Sequence, residues 1–226
     1  MLTLFIDADD TLWENNIYFE AVVQHYCTLV EAHGVGSAEA RARLLEIERR
    51  RTSTHGYGIK NFNLSLREAC RSFLDGASAT LIEELDRHCA GIATQPMALL
   101  PGVPETLETL ATRHRLVLLT KGDPDDQHDK IVRSGLATHF AAIDVVREKD
   151  EATYRDVAAR HGIDADDTWM IGNSPKSDVL PALGVGWGAV FIPHPATWVL
   201  ELEPLPEALP GRFVRIDRFD ALSRMF

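Results

Sequence analysis

A short apolar run, Leu2-Thr3-Leu4-Phe5-Ile6, stops abruptly at Asp7-Ala8-Asp9-Asp10-Thr11. That pattern predicts a buried parallel strand that delivers carboxylates to a loop at its C-terminal end. From about Asn15 to about Pro96 the period becomes helical, with Phe19, Val22, Tyr26, Leu29 and Val30, then Leu44, Leu45 and Ile47, at helix spacing. Ser65-x-x-Glu68 and Thr80-x-x-Glu83 read as capping boxes that open two further helices. About four helices and no strand are therefore expected in this stretch. After Pro96 the pattern alternates. Helices are expected near Val103–Arg113, Asp125–Ser134 and Ala152–His161 and from Pro175 onward, and strands at Arg115–Leu119, Ile143–Val146, Thr168–Ile171 and Ala189–Ile192. Strands alternating with helices mean βαβ units and a parallel sheet. The economical reading is one α/β core, residues 1–14 and 97–226, whose first strand is separated from the rest by an inserted four-helix cap, residues 15–96. After Glu201 a tail rich in proline (Pro204, Pro206, Pro210) reads as a loop, with Phe213–Ile216 as a last edge strand.

Composition narrows the function. A chain of 226 residues, 45% hydrophobic and 25% charged, is neither disordered nor a coiled coil. With 23 basic against 34 acidic side chains the net charge is −11, and Arg49-Arg50-Arg51 is the only dense basic run. No nucleic acid partner is expected, because such binding needs a basic stripe. Cys27, Cys70 and Cys89 show no C-x-x-C spacing and read as small buried hydrophobes of a reducing compartment. No stretch resembles a signal h-region or a bilayer span, so a cytoplasmic protein with no membrane partner is expected. The sequence is compatible with a homodimer.

The chemistry-bearing residues fall where the core strands run out: Asp7 after the first strand, Thr120 with Lys121 after Leu118-Leu119, Lys149 after the third, and Asn173 and Asp178 after the fourth. Ligands bind there in open α/β sheets. Singly, each has an ordinary structural reading as a turn residue, a strand-end hydroxyl or a solvated charge. Together they suit phosphoryl transfer through an aspartyl phosphate. Asp7 is then the nucleophile, and Asp9, on the same side as the chain leaves the strand, the general acid and base. Thr120 and Lys149 hold the phosphoryl oxygens. Asp7 and Asp178, with a backbone carbonyl near Asp9, offer Mg²⁺ the oxygen ligands it prefers. The chain has no glycine-rich Walker loop.

Asp7-x-Asp9-x-Thr11, the strand ending in Thr120, Lys149, and Gly172-Asn173-Ser174-x-x-x-Asp178 resemble the four motifs of the haloacid dehalogenase superfamily over nearly the whole chain. The inserted helices are similar to that superfamily's C1-type cap. The resemblance implies a Rossmann-like core, a mobile cap over the catalytic strand ends, Mg²⁺ dependence and, most often, hydrolysis of phosphate monoesters. The superfamily's true dehalogenases lack a carboxylate where Asp9 stands, since halide needs no proton on leaving, and this favours a phosphatase. Asn173 departs from the pattern, standing where many relatives have a metal-liganding Asp; it removes a negative charge from the metal site. Asp10 stands where many relatives have Gly and is expected to hold the loop through its side chain.

Lys121, like Thr120 and Lys149, is expected to bind substrate, and substrate choice is assigned to the cap loop Thr54-His55-Gly56-Tyr57-Gly58-Ile59-Lys60, where His55, Tyr57 and Lys60 offer hydrogen bonding, stacking and charge. An ordinary helix–helix connection explains the same residues. Trp13 reads as lining the pocket or packing beneath the hinge, and His194 lies near the last strand's end. The expected activity is thus a Mg²⁺-dependent phosphatase of a small-molecule phosphate ester. Its rivals are a dehalogenase or phosphomutase of the same superfamily and a weakly catalytic phosphometabolite-binding protein. A receiver-like signalling module is disfavoured, because such modules are shorter and have no insertion after their first strand.

Overall fold

The computed structural model describes residues 1–226 except 75–78, 208 and 210. The chain divides into an α/β unit, Met1–Asn16 with Met97–Phe226, and a helical unit, Ile17–Pro96. Strand β1 (Thr3–Ile6) precedes the helices α1 (Asn16–Glu31), α2 (Ser37–His55), α3 (Ile59–Phe73) and α4 (Ala79–Ile92). Then follow α5 (Val103–Ala111), β2 (Arg115–Lys121), α6 (Pro124–Ser134), β3 (Ala142–Val146), α7 (Glu151–His161) and β4 (Thr168–Gly172). A single π-turn (Pro175–Val179) leads into α8 (Leu180–Gly184), and β5 (Gly188–Phe191), β6 (Phe213–Arg215) and α9 (Leu222–Met225) complete the chain.

The six strands form one sheet in the order β3-β2-β1-β4-β5-β6, with every neighbouring pair parallel. This is a Rossmann-like arrangement, and it places β1 at the centre with β2 and β4 on its two sides. Alternation along the strands supplies both cores. Leu4, Ile6, Leu116, Leu118, Ile171 and Val190 meet Val103, Leu107 and Leu110 of α5 and Ile131 of α6 on one face. Phe5, Val117, Leu119, Met170 and Ala189 meet Tyr154 and Val157 of α7, Ala182 of α8 and Trp187 on the other. Burial on both faces is why these strands read as continuous apolar runs. The expected edge strand is present as β6; Pro210, part of the proline-rich reading of the tail, lies outside the described residues. No helix among the described residues is long and apolar enough to cross a membrane.

The helical unit has its own core of Val22, Tyr26 and Val30 from α1, Leu44 and Ile47 from α2, Phe62 and Leu66 from α3, and Leu85 and Cys89 from α4. All three cysteines are buried and free, and burial pushes the Cys89 thiol up to about 12, leaving it inert. Two capping expectations are corrected. Ser65 lies in the middle of α3, where its hydroxyl donates to the Asn61 carbonyl at 2.9 Å; the helix starts earlier because Gly58, at φ 121°, turns the chain into it. Thr80 lies inside the first turn of α4, and the residue before that helix is outside the described set. The loop expected over 54–60 shrinks to Gly56-Tyr57-Gly58, since α2 runs through His55 and α3 begins at Ile59.

Glu48 is buried on α2, and burial, aided by Glu20 and opposed by Arg41, pushes its carboxyl up to about 7. The folded value lies above the unfolded value of 4.5, so its contribution is fully present below that pH and is lost as pH rises through 7. The loss is on the order of 3 kcal/mol. Glu48→Gln is therefore expected to melt above wild type at pH 8 and level with it at pH 4, as thermal denaturation at the two pH values will show.

Candidate active site

At its C-terminal end β1 hands its pairing to β4: the Asp7 amide donates to the Ile171 carbonyl at 2.9 Å. Asp7 therefore emerges between β1 and β4, where connections leave the sheet in opposite directions and where open α/β sheets bind ligands. The chain then turns tightly, with Leu12 N–H donating to Ala8 O at 2.8 Å. Asp10 takes φ 59°, alone among the described non-glycine residues in adopting a positive φ. Its carboxylate offsets that strain by accepting the N–H groups of Asn15 and Asn16 at 2.9 and 3.0 Å. The side chain thus holds the loop, as expected where relatives use glycine.

Four of the candidate residues meet in one buried cluster. Lys149 Nζ lies 2.5 Å from Asp7 Oδ1 and 2.9 Å from Asp178 Oδ1. Thr11 Oγ1 lies 3.0 Å from Asp7 Oδ2 and 3.2 Å from Asn173 Oδ1, and its one proton serves one acceptor at a time. Asn173 Nδ2 donates to Thr197 Oγ1 at 2.9 Å, which leaves its amide oxygen directed at Thr11. Burial pushes the Asp7 carboxyl up to about 7; Lys149 pulls it down and Asp178 adds to the rise. Burial also works against the Lys149 charge, but Asp178 and Asp7 outweigh it and hold the ammonium above its ordinary value. Thr120, buried near the end of β2, completes the strand-end set.

Asp9 has surroundings that its motif did not announce. Its carboxylate accepts from Lys130 Nζ at 2.7 and 2.6 Å, from Gln127 Nε2 at 3.0 Å and from Trp13 Nε1 at 2.8 Å. Burial opposes its ionisation, yet Lys130 and these donors prevail and hold it below the usual carboxylate range. Trp13 is thereby both packed in the core and hydrogen-bonded to the site. Lys130 and Gln127 sit three residues apart on α6, a helical spacing that puts both on one face. That spacing is the only local signal for them.

Lys121, expected to bind substrate, is engaged by a second network. Its ammonium donates to Glu201 at 2.7 Å, Ser177 at 2.8 Å and Glu148 at 3.0 Å, because side chains alternate along β2 and Lys121 faces opposite to Thr120. Glu201 also accepts from Ser174 Oγ at 2.7 Å and Ser177 Oγ at 2.5 Å. Burial notwithstanding, Lys121 and the two serines hold Glu201 below its ordinary value. This network anchors the segment between Asn173 and Asp178, whose own end is closed by Ser174 N–H donating to Asp178 Oδ2 at 2.9 Å.

Gly172 is required by a close approach, since a Cβ there would overlap the Asp178 carboxylate. Gly172→Ala is expected to keep the fold and lower turnover by about 10²-fold by displacing Asp178, checked by kcat alongside a melting curve. His194 stands 3.3 Å from the Glu14 carboxylate, within the α/β unit but with no hydrogen bond to the carboxylate cluster among the described contacts. His55, Tyr57 and Lys60 belong to the helical unit, at the α2–α3 turn.

A sequence model of the haloacid dehalogenase-like hydrolases matches residues 1–186. A haloacid dehalogenase-like family hydrolase from Xanthomonas campestris superimposes with a TM-score of 0.86 at 29% identity, covering 100% of this chain and 90% of its own. L-2-haloacid dehalogenase from Xanthobacter autotrophicus shares the fold at a TM-score of 0.66 and 17% identity, over 100% and 98% of the two chains. Phosphoserine phosphatase from Thermus thermophilus is 33% identical over 101 residues, 41% of each chain, so this chain spans about two fifths of that curated relative. Strand order, strand-end residues and the match over residues 1–186 agree: the chain belongs to the haloacid dehalogenase-like hydrolases.

Proposed function

We propose that this hydrolase cleaves a small-molecule phosphate monoester through a phosphoaspartate formed on Asp7. The observation that carries the reading is Asp9, a second carboxylate beside the nucleophile, held in place by Lys130, Gln127 and Trp13. Halide displacement has no use for it. The likeness to phosphoserine phosphatase supports the same direction.

The residues present suit a divalent cation. Asp7 and Asp178 are two buried carboxylates facing the one ammonium of Lys149, an excess of negative charge that contributes to the raised Asp7 carboxyl. With the Asn173 amide oxygen and the Asp9 main-chain carbonyl they make an all-oxygen donor set, which Mg²⁺ prefers. When bound, Mg²⁺ would supply the charge neutralisation that lets two anions meet. Asn173 in place of a carboxylate weakens its hold.

Asp7 attacks phosphorus, the bond to the leaving oxygen breaks, and protonated Asp9 delivers its proton to that oxygen. Lys130 favours the carboxylate form of Asp9 in the free enzyme; an arriving phosphate dianion raises the affinity of Asp9 for a proton. In the second half Asp9, again a carboxylate, takes a proton from water as water attacks the phosphoaspartate, and Asp7 is regenerated. Thr120 and Lys149 hold the phosphoryl oxygens. We assign substrate selection to the helical unit, with His55, Tyr57 and Lys60 the first residues to substitute.

Para-nitrophenyl phosphate hydrolysis, assayed with and without Mg²⁺, tests the reading. Metal-dependent phosphate release without a second acceptor is expected, separating hydrolysis from mutase action. Asp9→Asn is expected to lose about 10²- to 10⁴-fold in turnover and to accumulate an acid-stable phosphoenzyme on quenching. Halide release from 2-chloropropionate, with phosphate esters untouched, would replace the phosphatase with a dehalogenase.

A further inference from the structure

We propose that His25, Glu84 and His88 form a second metal site, for a borderline divalent ion of the Zn²⁺ type, that ties α1 to α4 inside the helical unit. One ligand atom from each of the three side chains lies within 4.8 Å of the other two. Glu84 and His88 are one helical turn apart on α4 and share a face. Across from them His25, on α1, brings Nε2 to 2.9 Å from Glu84 Oε1. The His25 and His88 rings stack at 3.7 Å with an interplanar angle of 19°.

The tautomer of His88 is set by its own helix. Its Nδ1 lies 2.9 Å from the main-chain carbonyl of Glu84, which can only accept, so Nδ1 carries the proton and Nε2 presents a lone pair. A backbone carbonyl that engages one ring nitrogen and leaves the other as a lone-pair donor is the outer-shell arrangement of metal-binding histidines. The side chains of His25 and Glu84 are 28% and 33% exposed, so a hydrated ion reaches them, and water fills a fourth position.

The donor chemistry separates this site from the carboxylate cluster of the α/β unit. Two imidazoles and one carboxylate suit Zn²⁺, whereas Mg²⁺ selects oxygen. Tetrahedral ligands about 2.0–2.2 Å from zinc stand roughly 3.3 Å apart. The His25–Glu84 pair, at 2.9 Å, has to open by only about 0.4 Å to reach that span, and His88, exposed on the helix surface, closes the remainder by rotating its side chain. Because each imidazole must hold the ion in its ring plane, binding opens the ring stack. The metal joins residues 59 positions apart in sequence, the first helix of the unit to its last.

The test uses the full chain, stripped with a chelator and then held in saturating Mg²⁺, with Zn²⁺ added by calorimetry and Co²⁺ followed by visible absorption. One equivalent of Zn²⁺, a tetrahedral Co²⁺ spectrum and a raised melting temperature are expected in wild type, and equally in Asp178→Asn. His25→Ala, His88→Ala and Glu84→Gln are each expected to weaken Zn²⁺ at least tenfold while matching wild type in metal-free melting temperature. His88 is exposed, so His88→Ala remains informative even if His25→Ala is destabilised. Unchanged Zn²⁺ binding in His88→Ala overturns the proposal, as does a Zn²⁺ equivalent that vanishes in Asp178→Asn.

Discussion

Asp7→Asn is expected to lower turnover of para-nitrophenyl phosphate by about 10³-fold or more without lowering the melting temperature. The two readouts separate because Asp7 is costly to the fold. Burial raises its carboxyl from 3.8 to about 7, helped by Asp178 and opposed by Lys149. A folded value above the unfolded one means that stability is fully present below pH 3.8 and lost as pH rises through 7. At pH 8, in a chelator, the ionised side chain is therefore a burden that the amide removes. Lys149 keeps its bond to Asp178 at 2.9 Å, so no buried charge is orphaned. The variant should melt level with or above wild type at pH 8, and the difference should vanish near pH 4. Phosphatase activity that survives in a purified Asp7→Asn preparation would end the covalent mechanism. A fall in melting temperature at pH 8 would show instead that the Asp7–Lys149 pair stabilises the fold.

The other large effect is expected from Glu201→Ala, which should cost about 3–5 kcal/mol of stability and most of the turnover. Glu201 and Lys121 are 10% and 13% exposed, and removing the carboxylate leaves Lys121 with Glu148 as its remaining acidic partner in the network. The hydroxyls of Ser174 and Ser177 lose their common acceptor, and the segment that carries Asp178 loses its anchor. Replacing both members of a buried pair by apolar groups avoids an orphaned charge, so Lys121→Met with Glu201→Leu should recover most of the stability. Urea denaturation of Lys121→Met, Glu201→Leu and the double variant checks this, since independent roles would make the costs add. The same variants decide the role of Lys121. If its ammonium is structural, Lys121→Met and Glu201→Ala lower kcat alike; a rise in KM confined to Lys121→Met would return it to the substrate.

Much of the α/β unit was legible because its signals are local. Apolar runs of strand length, broken by helices of the right length, predicted strands β1 to β5 and the edge strand β6, and the strand ends marked where Asp7, Thr120, Asn173 and Asp178 would lie. Helix starts in the inserted segment were less legible. A serine three residues before a glutamate looks the same inside a helix as at its cap, and what started α3 was the backbone freedom of Gly58. Asp10 was read correctly as a loop-holding side chain because its partners, Asn15 and Asn16, are neighbours in sequence.

The sequence by itself determined the parallel α/β core, the inserted helices and the strand-end order of the candidate catalytic residues, since each rests on periodicity or on a run of adjacent residues. Tertiary structure alone decided what surrounds those residues. Lys130 reaches Asp9 across 121 positions, and Glu201 reaches Lys121 across 80. Nothing near Lys130 or Glu201 in the chain distinguishes them from solvated charges. Packing does, because a charge removed from water must find an opposite partner or lose its ionised form. That requirement binds Asp9 to α6 and the Asp178 loop to the tail, and it acts only once the sheet has brought these strand ends together.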